Sequence, residues 1–274
     1  MPDLLTFGEP LCVFHPASGR TLTRGVAGAE LNVAVGLARL GRSVVYVSRV
    51  GDDPFGAAIR ERLEQAGVDA RVEVDPDAPT GVYFRELAGA VGRSVFYYRQ
   101  GSAATRLAPA QLPPLGDVRL VHTTGITAML SPSCRATVEA AAHAPAFSLD
   151  VNFRPALGDA AAWREAIRPL LPLADLVFLS EEDAAVLAPA AALAAGAGAV
   201  VHTRGAAGAL YLDRAGHEVE ARAVAVEAVD TVGAGDAFAA GFLDAHLSGL
   251  GPAACLDAGC RLGAEAVARI GDQA

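Results

Sequence analysis

The run Asp230-Thr231-Val232-Gly233-Ala234-Gly235-Asp236-Ala237-Phe238 holds the residues best suited to chemistry in this chain. Gly233, Ala234 and Gly235 are small enough for a backbone turn to come close to a ligand. An Ala-rich helical run follows, and the unpaired N–H groups of a starting helix favour an anion such as a phosphate. A carboxylate beside an anion site is costly unless it has a task. Asp236 suits one: accepting the proton of a hydroxyl that attacks a phosphoryl group. Taken alone, Gly-Ala-Gly-Asp is equally a glycine-rich turn with Asp236 as a capping acid.

Three further segments carry candidate ligands. In Gly28-Ala29-Glu30-Leu31-Asn32, Gly28 lets a ligand hydroxyl meet the backbone and Asn32 binds a hydroxyl from inside a helix; a locally bonded Asn32 is the plain alternative. In Val95-Phe96-Tyr97-Tyr98-Arg99, strand alternation puts Tyr97 and Arg99 on one face and Tyr98 on the other. Tyr83 and Arg85 likewise share a face. Aromatic residues so spaced also suit a core or a dimer contact. An arginine beside a tyrosine suits a substrate carboxylate, which the guanidinium fork binds bidentately. In Asp150-Val151-Asn152-Phe153-Arg154, at the C-terminal end of an expected parallel strand, Arg154 meets a carboxylate or phosphate, or pairs on the surface with Asp159 or Asp150.

Composition removes several chemistries. The chain has 274 residues and no lysine, so all 22 basic residues are arginine. That excludes a Walker A loop, the lysine of a protein-kinase fold and lysine Schiff-base catalysis. A net charge of −9 argues against a nucleic-acid partner. Cys12, Cys134, Cys255 and Cys260 are scattered and read as core residues or free thiols. No apolar run spans a bilayer, and Met1-Pro2-Asp3 offers no basic leader, so the expectation is a cytoplasmic protein without membrane contact.

The elements that must position these residues alternate between strand and helix. Strands are expected at Leu4–Phe7, Ser43–Val50, Leu120–Thr124, Phe147–Val151, Leu176–Leu179, Ala199–His202, Ala209–Leu212 and Glu218–Ala221. Helices are expected at Glu30–Leu40, Pro54–Ala66, Pro132–Ala142, Ala160–Leu171, Glu181–Leu187, Ala234–Leu250 and Ala253–Arg269, with an Ala-rich helix and turn at Ala190–Ala199. The pattern predicts an α/β fold with a mostly parallel sheet flanked by helices. Two hairpins interrupt it: Leu11–His15 with Thr21–Val26 around Ser18-Gly19, and Thr80–Leu87 with Ser94–Arg99 around Gly89–Gly92. They form a small lid sheet or extend the main one.

The Asp230–Asp236 run resembles the second signature of the ribokinase-like (PfkB) sugar kinases. Gly28–Asn32 continuing through Gly41, with Gly51-Asp52-Asp53-Pro54-Phe55-Gly56, resembles the first. Phe96-Tyr97-Tyr98-Arg99, Gly125-Ile126-Thr127 and Asp150–Arg154 are most similar to the 2-keto-3-deoxygluconate kinases within that family. The resemblance covers nearly the whole chain. It implies one ribokinase-like catalytic unit over residues 1–274, with a Rossmann-like sheet and lid strands inserted at about 11–27 and 80–100. It implies ATP-dependent phosphorylation of a sugar acid with Asp236 as base and Gly233, Ala234 and Gly235 around the moving phosphoryl group. Gly28, Asn32, Tyr83, Tyr97, Arg99, Ile126 and Arg154 would line the sugar-acid site. Ser180, Thr203, Arg204, Gly205, Gly208, Gly233, Gly235 and Cys260 would face the nucleotide, Asp183 would act on magnesium indirectly, and the lid would join copies into a homodimer or larger homo-oligomer.

The chain departs from the family at three places. The Asn-x-x-Glu segment tied to magnesium is Ser180-Glu181-Glu182-Asp183, Ala207 stands where lysine is common, and Cys260 stands where the adenine pocket often has asparagine. The chain also ends soon after Gly271-Asp272-Gln273, so looser adenine binding is expected. The altered metal and adenine segments leave room for a silent sugar-binding protein on the same fold, against which the intact Asp236 argues. The nearer alternative is a kinase for a neutral sugar such as fructose, from which Arg99 and Arg154 discriminate, or for a nucleoside, whose flat aromatic slot has no specific sign in the sequence. A plain Rossmann nucleotide binder does not fit, because this chain has no Gly-x-Gly-x-x-Gly after its first strand.

Overall fold

Short apolar runs bounded by Gly, Pro and Asp become strands here, and runs of helical period become helices. In a computed structural model that describes residues 1–18, 21–85 and 95–268, the strands in chain order are β1 (Leu4–Phe7), β2 (Leu11–Ser18), β3 (Thr21–Ala27), β4 (Val44–Gly51), β5 (Asp69–Asp75), β6 (Val82–Arg85), β7 (Val95–Tyr98), β8 (Leu120–Thr124), β9 (Phe147–Asp150), β10 (Leu176–Ser180), β11 (Ala199–Thr203), β12 (Ala209–Asp213) and β13 (Glu218–Ala221). The helices are α1 (Ala29–Arg39), α2 (Pro54–Gln65), α3 (Gly125–Leu130), α4 (Pro132–Ala141), α5 (Ala160–Ile167), α6 (Pro189–Ala194), α7 (Ala234–Leu247) and α8 (Pro252–Val267). Gly19, Glu86, Leu87, the Gly89–Gly92 turn, Ser94, Arg269 and Gly271-Asp272-Gln273 lie outside the described residues.

The large sheet has the order β13-β12-β11-β10-β9-β8-β1-β4-β5. Pairing is parallel from β5 through to β11 and antiparallel at β12 and β13. Parallel strands joined by helical crossovers are covered on both faces, so β1 and β8 are buried throughout. Alternation divides the core between the faces. Leu4 joins Leu31, Tyr46, Ile59, Phe178, Phe238 and Phe242 on one side. Leu5 and Phe7 join Val121, Phe147, Leu149, Trp163 and Val177 on the other.

The two inserted strand pairs form their own sheet, in the order β3-β2-β6-β7, rather than widening the large one. β2 runs antiparallel to β3 and parallel to β6, and β6 runs antiparallel to β7. Asp53 caps α2 through the amides of Phe55 and Gly56 and also accepts from Thr80 N at 2.8 Å, which ties the entry of β6 to the large sheet.

Several elements differ from expectation, among them α3, a short helix at Gly125–Leu130 that the pattern does not announce. Glu181–Leu187 makes only a short 3-10 turn at Glu182–Ala185, because Asp183 turns its carboxylate back onto Ser180 N and Oγ. Ala160–Leu171 is helical only to Ile167 and then tightens into a 3-10 stretch over Arg168–Leu173, where Pro169 and Pro172 lack the N–H an α-helix needs. β5 is a mostly exposed edge strand made by backbone pairing to β4, with too little apolar alternation to be read from sequence.

Candidate active site

The site starts from the contact of α1 with α7. Gly36 lets the helices approach: a Cβ there would lie 2.8 Å from the Ala240 Cβ. One turn earlier on each helix stand Asn32 and Asp236. Asn32 Nδ2 donates to Asp236 Oδ2 at 2.7 Å, with Asn32 only 9% exposed. Asp236 lies in the first turn of α7, and Gly233 caps that helix in the left-handed conformation at φ 79°. A Cβ on Gly235 would meet no atom within 4 Å, so its surroundings are open to a ligand. Gly28, the N-cap of α1, has φ 143°, and a Cβ there would sit 2.6 Å from the Glu9 carbonyl oxygen. Backbone from the turn after β1 therefore crosses directly under the start of α1.

The small sheet brings its aromatic and cationic residues to the same region. Tyr83 and Tyr97 are register partners whose rings lie 5.3 Å apart. The Arg99 guanidinium sits 5.3 Å over the Tyr97 ring, as strand alternation predicts. Arg99 does not stand idle for a substrate, however. Its Nη2 pairs with Glu9, whose side chain is 1% exposed and also accepts from Ser102 Oγ at 2.6 Å. Burial pushes the Glu9 carboxyl up, and the Arg99 charge opposes that shift. Arg85, at the end of β6, grips Asp230: its Nη2 lies 2.9 and 2.8 Å from the two carboxylate oxygens.

The ends of β9 and β10 add acids beside Asp236. Burial, reinforced by the nearby Asp183 charge, holds the Asp150 carboxyl well above the ordinary range; the Asp236 charge adds to this and Arg154 opposes it. Asn152 takes φ 50° at the strand end, a conformation asparagine tolerates, and donates to Asp150 at 2.8 Å. Arg154 is exposed and bonds the Phe153 carbonyl at 3.0 Å, not Asp159 or Asp150. Ile126 is half-buried in α3.

Asp183 sits where the ends of β9 and β10 meet. Its carboxylate is 1% exposed and accepts from Phe153 N at 2.6 Å, Ser180 N at 2.6 Å and Ser180 Oγ at 2.7 Å. It braces the ends of the two strands. No group of three His, Cys, Asp or Glu able to hold a metal occurs among the described residues.

The segment expected to face a nucleotide lies at the end of β11. Thr203 Oγ1 reaches the Leu179 carbonyl at 3.4 Å, and Arg204 pairs with Glu220 at 3.0 Å. Gly205 and Gly208 have φ 52° and 95°, and a Cβ on Gly208 would overlap the Ala221 carbonyl. Cys260 is 8% exposed on α8. Two buried polar atoms at this edge, His202 Nε2 and Arg204 Nε, have no protein partner, and neither has Asn152 Oδ1 at the end of β9. Such atoms fit a polar ligand. Magnesium fits too, since it is usually held by phosphate oxygens and waters with few protein ligands.

Sequence reasoning missed Glu9 and Glu30. Glu30 is 1% exposed in the first turn of α1, and its Oε1 accepts from Thr124 N and from the hydroxyls of Thr124 and Thr127, locking α1 onto the end of β8. Burial pushes its carboxyl up as well. An acid in the same segment as Asn32 was visible, but nothing in the sequence announced its three donors, two from Thr124 on β8 and one from Thr127 on α3.

Residues 15–274 match the pfkB family of carbohydrate kinases, and the chain belongs to that family. It is a carbohydrate kinase. It is 37% identical to the 2-dehydro-3-deoxygluconokinase of Thermoproteus tenax, a match covering 99% of this chain and 90% of that one. It is 34% identical to the fructokinase of Klebsiella pneumoniae over 86% of this chain and 81% of that one. The crystal structure of a putative ribokinase II from E. coli in complex with ATP and Mg2+ superimposes with a TM-score of 0.89 at 25% identity, covering 99% of this chain and 94% of that one.

Proposed function

We propose that this kinase transfers the γ-phosphoryl group of ATP to the terminal hydroxyl of a sugar acid, 2-keto-3-deoxygluconate being the substrate the site suits best. The observation that carries the reading is the 2.7 Å bond from Asn32 to Asp236 at the open start of α7. It aims a carboxylate at the place where a helix start receives an anion. Asp236 accepts the proton of the attacking hydroxyl, and the backbone of Gly233, Ala234 and Gly235 steadies charge on the moving group. Phosphoryl transfer of this kind demands position more than a strong base.

Tyr83, Tyr97, Arg99, Ile126 and Arg154 with Gly28 and Asn32 form the sugar-acid pocket in this reading. The exposed Arg154 takes the larger electrostatic share, since Glu9 offsets the Arg99 charge. Ser180, Thr203, Arg204, Gly205, Gly208 and Cys260 line the nucleotide side. Magnesium, held through phosphate oxygens, would neutralise phosphate charge. The small sheet acts as a lid that excludes water. β7 offers a second role: Val95, Phe96, Tyr97 and Tyr98 are 40–68% exposed on an edge strand. Covering such an edge with a second copy gives a homodimer.

The Glu9–Arg99 pair favours a second reading, a kinase for neutral fructose, because a neutralised guanidinium is a weaker reason for an acid substrate. The similarity to a fructokinase points the same way. ADP release with ATP and magnesium, compared across 2-keto-3-deoxygluconate, fructose, ribose and adenosine, decides. Selective turnover of the sugar acid supports the first reading; preference for fructose overturns it and leaves the Asp236 assignment standing.

A further inference from the structure

The ion pair between Arg85 and Asp230 joins parts of the chain 145 residues apart. Arg85 is the last residue of β6, in the small sheet. Asp230 opens the run that leads to Gly233 and Asp236. Both side chains are nearly buried, at 12% and 7% exposed. The acid is fixed from its other side as well: the amides of Val229 and Asp230 both donate to the Val267 carbonyl at the end of α8, at 2.9 and 3.1 Å. Asp230 Oδ1 also accepts from Val232 N at 3.2 Å, so the carboxylate gripped by Arg85 shapes the turn feeding the start of α7. Movement of β6 away from the large sheet pulls on that carboxylate, and the carboxylate sets the turn.

From this geometry we propose that Arg85 is a positioning residue: through Asp230 it latches the small sheet over the site and holds the Asp230–Gly233 turn in register, so that the sugar hydroxyl and not water receives the phosphoryl group. The inference rests on the kinase reading above for its chemistry. A latch made of charge suits a part that must open at every turnover. Water solvates both partners when they separate, whereas a latch of apolar surface would leave that surface exposed. With the latch broken, a water oxygen attacks the γ-phosphorus, the bond from that phosphorus to the β–γ bridging oxygen breaks, ADP leaves, and the water proton passes to Asp236 and then to solvent. Inorganic phosphate forms in place of sugar phosphate.

The test is the ratio of ADP released to sugar phosphate formed in Arg85→Gln, Arg85→Lys and the exchanged double variant Arg85→Asp/Asp230→Arg. The expected result for Arg85→Gln is a fall in kcat of about 10-fold or more, ADP well in excess of sugar phosphate, and a KM for ATP near that of the wild type. Arg85→Lys restores most of the coupling. ADP equimolar with sugar phosphate in Arg85→Gln overturns the proposal, because a merely structural bridge would slow or destabilise the enzyme without redirecting the phosphoryl group. Hydrogen exchange in the ligand-free protein tests the latch without any substrate. Faster exchange confined to β6, β7 and residues 229–233 in Arg85→Gln supports it, and unchanged exchange there overturns it. If the wild type phosphorylates no sugar acid while that exchange accelerates, the substrate reading has failed and the latch stands.

Discussion

Replacing Asn32 with alanine isolates the contact on which the site depends. The bond to Asp236 is a 2.7 Å hydrogen bond to a carboxylate. Bonds of that type contribute about 1.5–3 kcal/mol. If the bond holds Asp236 in its working position, its whole value is lost from the transition state. At 1.36 kcal/mol per factor of ten, kcat/KM falls about 10- to 150-fold. The fold should survive. Asn32 N keeps its helical bond to Gly28 O at 2.8 Å, and alanine is the better helix former. An ADP-coupled assay at saturating ATP, with thermal melting alongside, measures both. Asn32→Asp sharpens the test, since a second carboxylate within hydrogen-bond reach of Asp236 leaves the two sharing a proton and moves the acid limb of the activity profile to higher pH. A kcat/KM for Asn32→Ala within twofold of the wild type refutes the reasoning.

Two other perturbations follow from the same structure. Gly28→Ala places a side chain at φ 143° with its Cβ 2.6 Å from the Glu9 carbonyl oxygen, so stability drops by about 1–3 kcal/mol or more and the melting temperature falls clearly; an unchanged melt contradicts it. His122 is fully buried against Ser148, and burial lowers its pKa from 6.5 to about 3. Between those values the unfolded chain binds the proton that the folded chain refuses, so stability falls as pH drops below 6.5. This contribution reaches about 3 kcal/mol by pH 4.5 and is absent above pH 7.5. The buried Glu9 and Glu30, with raised values, act oppositely and lose stability as pH rises above the ordinary carboxylate range. His122→Gln should therefore show a flatter acid limb in melts taken from pH 7.5 to 4.5, and an unchanged slope argues against a neutral buried imidazole.

The large parallel sheet was legible because its strands are near-continuous apolar runs and its helices carry clear stops at Gly41 and Gly67. The separate small sheet was legible only as one of two possibilities, since alternation tells which face is buried but not which sheet buries it. Asn32 and Asp236 were legible as types in motifs. Their contact was not, because it depends on Gly36 meeting Ala240 across two helices. Arg99 was legible as a cation beside Tyr97, but its partner was not, because Glu9 lies in the distant Gly8-Glu9-Pro10 turn after β1. Asp183 has a bond to Ser180 three residues away, within reach of local reading, but its bond to Phe153 becomes visible only when β9 and β10 are paired. Local pattern finds elements and motif residues, whereas the pairing of charges across distant segments is set by topology.

The most direct test compares wild type with Asp236→Asn for transfer of phosphate from ATP to 2-keto-3-deoxygluconate, with sugar binding measured by calorimetry on the same samples. The account predicts that the wild type forms the 6-phosphate and that Asp236→Asn binds the sugar acid with similar affinity while losing turnover by about two orders of magnitude or more. Turnover near the wild-type rate in Asp236→Asn would contradict the assignment of the base and, with it, the account of the site.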